Sequence, residues 1–356
     1  MIPAPYYQSI YLIILAIITF FVLVVYRANL SSQSFYRRAS YGVSIILLAC
    51  VILYIGCRPI SEFFVDMTQY LGIYQRNGGD PFVFSFDKDN FIYDNLMYYC
   101  ASAYLEPRIF YLIIATIYFS CIYIAVKKLF KTDTLLAFLV YLSAFSTFSY
   151  GVNGIKAGAA ASIFLVSLAY NDRKFISLLL CVISYGFHHA MALPICAYYI
   201  SIFVKRYNVI MAFWLLCLGL AAAHVTYFQF LFASLTDDHG ASYLLDSHAV
   251  VSGFRIDFIL YSVVPIVLGY YFFCKKLVDR NYLLLWSTYV ICNSIWLLCT
   301  YASFTNRIAY LSWLLYPIVL IYPFFKNKMN TYSPWLIWTV ILHLSFTLLM
   351  NFVYYA

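Results

Sequence analysis

The sequence predicts an all-α polytopic membrane protein with about 12 transmembrane helices, the chain 1–356 forming a single integral membrane domain. Three observations carry this. The chain is 65% hydrophobic and 10% charged, where soluble domains are about 25% charged. Its apolar runs approach the roughly 20 residues a straight helix needs to cross a bilayer. Its charges alternate by junction. The clusters Arg27/Arg37/Arg38, Lys127/Lys128/Lys131, Arg173/Lys174, Lys205/Arg206, Lys275/Lys276/Arg280 and Lys326/Lys328 hold 15 of the 22 basic residues and only three acids, Asp133, Asp172 and Asp279. The intervening junctions hold seven basic residues, 11 acids and five of the six histidines. Lys and Arg near span ends stay on the cytoplasmic side, so the Arg, Asp and His left over gather on the outer face, out of reach of ATP and nucleotide sugars. The net charge of +8 is then a topology signal, and nucleic acid is not an expected partner.

The first apolar run, 6–26, has no positive segment before it and Arg27 after it, which reads as a span with an outside N-terminus rather than a cleavable signal peptide. A span at 41–56 leads into a first outer loop, about 57–107, opening on Arg58-Pro59. Within 61–76 of that loop, Phe63, Phe64, Met67, Tyr70, Leu71 and Tyr74 recur at helical spacing while Glu62, Asp66 and Gln69 fall opposite, the pattern of an interfacial amphipathic helix. Gly78-Gly79-Asp80-Pro81 is a turn, followed by an acidic stretch to Asp94. Its Asp87-Lys88-Asp89-Asn90 lacks the glycine and closing Glu of a calcium loop, so a solvated loop is expected. Spans at 108–126, 134–150 and 154–171 follow. The short runs 175–187 and 190–204 meet at Phe187-His188-His189 and read as a half-buried pair around a site, because short helices are tolerated where they line a protein-enclosed cavity. After 207–224 comes a second outer loop, about 225–255. Its Asp237, Asp238, His239, Asp246 and His248 lack zinc-ligand spacing, and its Ser and Gly suit a flexible lid. Spans at 256–274, 282–300, 307–324 and 334–354 leave both termini outside.

Neither the cysteines nor the tyrosines settle a function. No CxxC occurs; Cys57 and Cys100 fall on the outer side, where a disulfide is chemically allowed. The 37 tyrosines exceed what interface belts need; packing accounts for most, and some outer-face ones suit a sugar-binding cleft. The outer span ends say more. Arg58 closes the second span, while Arg108, Lys156, Arg255 with Asp257, and Arg307 open later ones. Snorkelling explains any single one. Several positives on the disfavoured side need a further cause, and an arginine fork beside a helix N-terminus suits an outer-leaflet lipid pyrophosphate.

At these residues the chain resembles the EpsG-like branch of the Wzy polysaccharide polymerases. The motifs are Arg58-Pro59 followed by Asp66, Tyr70 and Tyr74 at four-residue spacing; Asn153-Gly154-Ile155-Lys156-Ala157; Phe187-His188-His189-Ala190; Phe254-Arg255-Ile256-Asp257-Phe258; and Asn306-Arg307-Ile308-Ala309-Tyr310. They run in order along nearly the whole chain. Lys156 and Ala157 stand where the family usually has Arg and Gln, which costs a bidentate contact but keeps a charge. The resemblance implies a GT-C-like glycosyltransferase of the bacterial inner membrane, joining undecaprenyl-pyrophosphate-linked oligosaccharide to a growing polymer on the outer face. It calls for no metal and no cofactor, and for membrane lipid, a chain-length regulator and a flippase as further partners.

Such chemistry needs a base for the acceptor hydroxyl and positive charge for the departing pyrophosphate. The expected base is His188, with His189 as its local competitor, and Asp66 orients a hydroxyl or an arginine. Arg58, Arg255 and Arg307 are expected at the pyrophosphate with Lys156 in support, and Tyr70 and Tyr74 at the sugar. Other classes share parts of the pattern: a lipid-linked glycan ligase, a flippase or transporter, and a membrane O-acyltransferase. A transporter would carry inverted repeats and charges at the midplane, where this chain has little besides His343; an acyltransferase would want a histidine facing a cytoplasmic donor.

Overall fold

A computed structural model describes residues 2–28, 33–233, 254–303, 305–326 and 333–354. Helix follows helix, and no strand occurs among the described residues. In hydrocarbon a backbone must satisfy its own hydrogen bonds, which a helix does within one segment. Five helical stretches are long and apolar enough to cross a bilayer: Ala4–Arg27, Pro107–Leu142, Ile256–Cys274, Thr305–Phe325 and Pro334–Tyr354. Five shorter apolar helices, Ser40–Gly56, Ile155–Ala169, Lys174–Phe187, His189–Phe203 and Tyr207–Ala222, accompany them. The protein is a polytopic helical membrane protein, with five full-length candidate spans observed where the sequence predicts about 12.

The chain divides into two compact units, Met1–Met191 with Asn330–Ala356, and Ala192–Met329. The first contains α1 (Tyr7–Ala28), α2 (Gln33–Gly56), α3 (Val65–Arg76), α4 (Phe91–Ser102), α5 (Pro107–Phe130), α6 (Thr134–Leu142), α7 (Thr147–Val152), α8 (Ile155–Ala169) and α9 (Lys174–Phe187). At its core α5 packs on α2 and α8, and α8 packs on α9. Small residues permit this: a Cβ on Gly158 of α8 would stand 2.6 Å from the Tyr150 carbonyl oxygen.

Two expectations for this unit are corrected. The first loop stays irregular from 81 to 90 after its turn, but α4, which is not among the expected elements, forms from Phe91 onward. The span expected at 134–150 is broken: α6 stops at Leu142 and α7 restarts at Thr147. The break frees carbonyls, and side chains take them. Tyr11 of α1 donates to Leu142 O at 2.8 Å. From the helix Ser333–Leu349, Thr347 donates to Ser143 O at 2.9 Å and the His343 Nε2–H to Val140 O at 3.0 Å. That gives the one midplane histidine a structural partner, as buried helix breaks require.

The second unit contains α10 (Ala192–Phe203), α11 (Tyr207–Ala222), α12 (Tyr227–Ala233), α13 (Ile256–Cys274), α14 (Arg280–Leu298), α15 (Thr305–Trp313) and α16 (Tyr316–Lys326); the Ser333–Leu349 helix of the first unit is α17. The span expected at 307–324 is likewise interrupted between α15 and α16. α14 is the hub, packed on α10, α11 and α15. Its buried polar face binds indoles and hydroxyls: Trp214 Nε1 donates to Asn293 Oδ1 at 2.9 Å, Asn293 Nδ2 to Ser312 Oγ at 3.3 Å and Trp296 Nε1 to Thr305 Oγ1 at 2.9 Å. Gly269 of α13 lets Trp286 lie close, since a Cβ there would meet the indole at 2.3 Å. The second outer loop's Asp237, Asp238, His239, Asp246 and His248 lie outside the described residues.

Candidate active site

The site starts where α9 ends. Ser184, buried within α9, donates to Ala160 O of α8 at 2.7 Å and so fixes the helix end. His188 then leaves the helix in extended conformation, φ −156° and ψ 116°, and a 3-10 turn, His189–Met191, follows. The two imidazoles stand 5.2 Å apart, edge to face.

Asn90, the residue before α4, holds them both. Its Oδ1 lies 3.0 Å from His188 Nδ1, 3.2 Å from His189 Nδ1 and 3.1 Å from the His189 backbone nitrogen. A backbone N–H can only donate, so the amide atom it meets is the oxygen. A ring nitrogen bonded to that oxygen must carry its hydrogen. Both Nδ1 atoms therefore carry a hydrogen, and Nε2 is the nitrogen of each ring that Asn90 does not hold. Asn90 is 5% exposed, so this amide is a buried fixture. It reaches the histidines because α4 packs on α9 at Gly186, where a Cβ would stand 2.6 Å from Ile92 Cδ1 and 2.7 Å from Phe91 Cζ.

One turn further along α4, Asp94 shares the face of Asn90. Burial lifts its carboxyl above the ordinary range, and the charge of Lys156, in the first turn of α8, pulls it the other way. Tyr93 beside it is 1% exposed, its hydroxyl has no hydrogen-bond partner, and its ring packs 6.0 Å from Tyr70 and 5.6 Å from Phe110.

Arg58 is the unusual cation. It is 1% exposed. Its Nη1 donates to Ile55 O at 2.8 Å and its Nη2 to Val152 O at 2.9 Å, tying the end of α2 to the end of α7. Its Cζ lies 5.2 Å from the Tyr111 ring centroid and 5.9 Å from that of Phe64. Burial pushes the guanidinium down to about 10, against the influence of Tyr111, Tyr7 and Tyr93, so it stays a cation at neutral pH. No carboxylate reaches it within ion-pair distance among the described residues. Its Nε and the nearby Asn153 Oδ1 are buried without hydrogen-bond partners. As placed, Arg58 is a buried clamp between α2 and α7 with unspent hydrogen-bonding capacity at Nε.

The remaining expected residues divide by unit. Asp66 opens α3, where a carboxylate complements the helix N-terminus, and Tyr70 lies one turn on, half-buried against Tyr93. The Tyr74 hydroxyl donates to Leu105 O at 2.7 Å and its ring packs on Phe110, so it pins α3 to the start of α5. In the second unit, Arg255 grips Asp257 with two hydrogen bonds and lies 3.9 Å from the Phe258 ring centroid. Arg307 is exposed in the first turn of α15. Asn90 and Asp94 are the residues sequence reasoning passed over. The usable signal was the 3.6-residue recurrence of Tyr93, Met97 and Cys100 behind an Asn able to begin a helix, which the calcium-like spacing of the preceding acids obscured.

Helices of membrane length, with a buried cation and a pair of imidazoles held by one amide in the first unit, define a polytopic membrane protein with a polar site beside the 57–107 loop. The chain belongs to the EpsG family, associated with polysaccharide polymerases: the family's model matches residues 45–356, which takes in every motif named above. No curated protein and no solved structure matches the chain.

Proposed function

We propose that the protein is a polysaccharide polymerase of the bacterial inner membrane, a glycosyltransferase that joins undecaprenyl-pyrophosphate-linked repeat units on the outer face. The observation that carries this reading is the Asn90 clamp, which takes Nδ1 of both His188 and His189 and leaves Nε2 as the ring nitrogen turned to chemistry, on the same helix as a carboxylate, Asp94, that feels the charge of Lys156. In the proposed reaction the acceptor hydroxyl gives its proton to Nε2 of His188 while its oxygen bonds the donor's anomeric carbon. The bond from that carbon to the carrier's pyrophosphate oxygen breaks, and the oxygen keeps the electron pair. Arg58, Arg255 and Arg307, with Lys156 in support, are the cations proposed for the leaving anion, a role fixed cations fill without any change of protonation. Arg255 does so only by exchanging Asp257 for phosphate oxygens. Asp66, Tyr70 and Tyr74 belong to the sugar side of the reading, and Arg58 adds a permanent charge behind Tyr93. On this reading both termini and these groups lie on the outer side, as the charge alternation of the sequence suggests.

Deletion in the native host with analysis of the surface glycan tests the reaction class. A cap of one repeat unit supports a polymerase; bare core indicates a ligase or a flippase and overturns it. With purified lipid-linked repeat units, His188→Ala should retain carrier binding while losing roughly 10²–10⁴-fold in rate. Normal turnover by His188→Ala together with loss in His189→Ala moves the base by one residue. Normal turnover in both makes the imidazoles structural.

A further inference from the structure

The opposite ends of α2 and α5 carry a second site. Tyr41 and Arg58 are 17 residues apart along and just beyond α2, roughly 25 Å at 1.5 Å per residue. Near Tyr41 a groove of about 390 Å³ is lined by Ser40, Tyr41, Lys127, Lys131, Thr132 and Thr134. Ligand pockets begin at about 300 Å³, so it can hold more than solvent. The hydroxyl-bearing residues Ser40 and Thr134 are buried, 6% and 4% exposed, while the two lysines stand at the rim. Lys127 Nζ donates to the Tyr41 hydroxyl at 3.1 Å and lies 4.6 Å from its ring centroid, which orients the ammonium against α2.

Lys131 is held there by an unfavourable backbone. Its φ of 51° lies in the left-handed region, costly for any residue with a Cβ. Its N–H donates to Lys127 O, and its carbonyl accepts from Thr134 Oγ1 at 2.5 Å. The chain therefore turns so that residues 127 and 131 line one groove. Strained backbone of this kind collects at ligand clamps.

The charges are uncompensated. Neither Lys127 nor Lys131 has a carboxylate within ion-pair distance among the described residues, whereas Lys128, next to Lys127, pairs with Asp172 at 3.1 Å. The nearest acid in sequence, Asp133, accepts from Thr132 Oγ1 at 3.0 Å.

We propose that this groove binds a phosphate ester or phosphate anion, gripped by the Lys127 and Lys131 ammonium groups with the hydroxyl of Tyr41 as a further donor. The charge pattern assigns this end to the cytoplasmic face, so the anion has two sources, the head group of an anionic inner-leaflet lipid or soluble phosphate.

The test uses the full-length detergent-purified protein, with bound lipid read by native mass spectrometry. Phosphatidylglycerol should be retained and phosphatidylcholine should not. Lys127→Gln and Lys131→Gln should each weaken retention roughly fivefold, while Lys128→Gln leaves it unchanged. Displacement of the lipid by millimolar inorganic phosphate, lost in the same two variants, supports the site with a soluble anion as a competing occupant. Phosphate binding alone, with no lipid preference, supports the soluble source. Equal loss in Lys128→Gln overturns the proposal in favour of undirected surface charge. So does parental retention of both anions in the Lys127→Gln/Lys131→Gln double variant.

Discussion

One buried amide oxygen sets the chemistry of two imidazoles. If Asn90 fixes the Nδ1–H tautomer, Asn90→Ala should cost about 10²-fold in polymerisation rate and also lower the thermal midpoint, since buried N–H donors lose their partner. Asn90→Asp, which still accepts from Nδ1–H, should restore most of that rate. Its added negative charge should also move the acid limb of the pH–rate profile to higher pH. A parental profile in both variants would remove Asn90 from the mechanism. Asp94 gives a second expectation. Its carboxyl titrates above the ordinary carboxylate value in the folded protein, so the folded state binds more protons than the unfolded and stability falls as pH rises through that window. Lys156 opposes the rise, so Lys156→Met should lift the carboxyl further. The thermal midpoint of the variant should then fall increasingly behind the parent as pH climbs from 4 toward neutrality, and the gap should close in Lys156→Met/Asp94→Asn. A gap independent of pH would mean the two charges do not interact. The histidines were legible in the sequence because they interrupt an apolar run; their partner was not, because a hydrogen bond between residues 90 and 188 leaves no local signature.

Helices were legible wherever burial was one-sided or lipid was the solvent, and illegible where a break had to be filled from elsewhere. The stop at Leu142 is only weakly marked between 134 and 150, by Ser143 and Thr147, whose hydroxyls take the Val140 and Tyr141 carbonyls but are also tolerated inside spans; the other determinants sit on α1 and α17. The amphipathic helix of the first outer loop was read correctly in type and started four residues early, at 61 instead of Val65. Its polar side turned out to be only half of the story, for α4 shields the other half. The contact that seats α4 is testable. Gly186→Val should force Ile92 and Phe91 away from α9 and carry Asn90 off the imidazoles, lowering activity by at least tenfold. Gly186→Val/Ile92→Ala, which makes room for the new side chain, should recover part of it. Failure of the second change to help would place the damage elsewhere than at this contact.

For the molecule as a whole, helix length is a weak guide to span number, and sidedness rests on the alternation of charge. Single cysteines in a cysteine-light background should be reached by an impermeant reagent in intact spheroplasts at position 87 but not at 128, 206 or 276. Labelling at 276 without labelling at 87 would reverse the topology and withdraw the outer-face site with it. The break between α6 and α7 also bears on how the protein is made. Val140 and Ser143 wait for donors 203 and 204 residues further along the chain. At 5–20 residues per second, ribosomes need roughly 10–40 s to deliver them. During that interval the Val140 carbonyl keeps only the Ser143 hydroxyl at 3.2 Å and the Ser143 carbonyl lacks its Thr347 donor, so the break must borrow water or remain near the translocon. α17 therefore works as a late-arriving closure: a nascent chain stopped before it would hold the earlier helices with this seam still open.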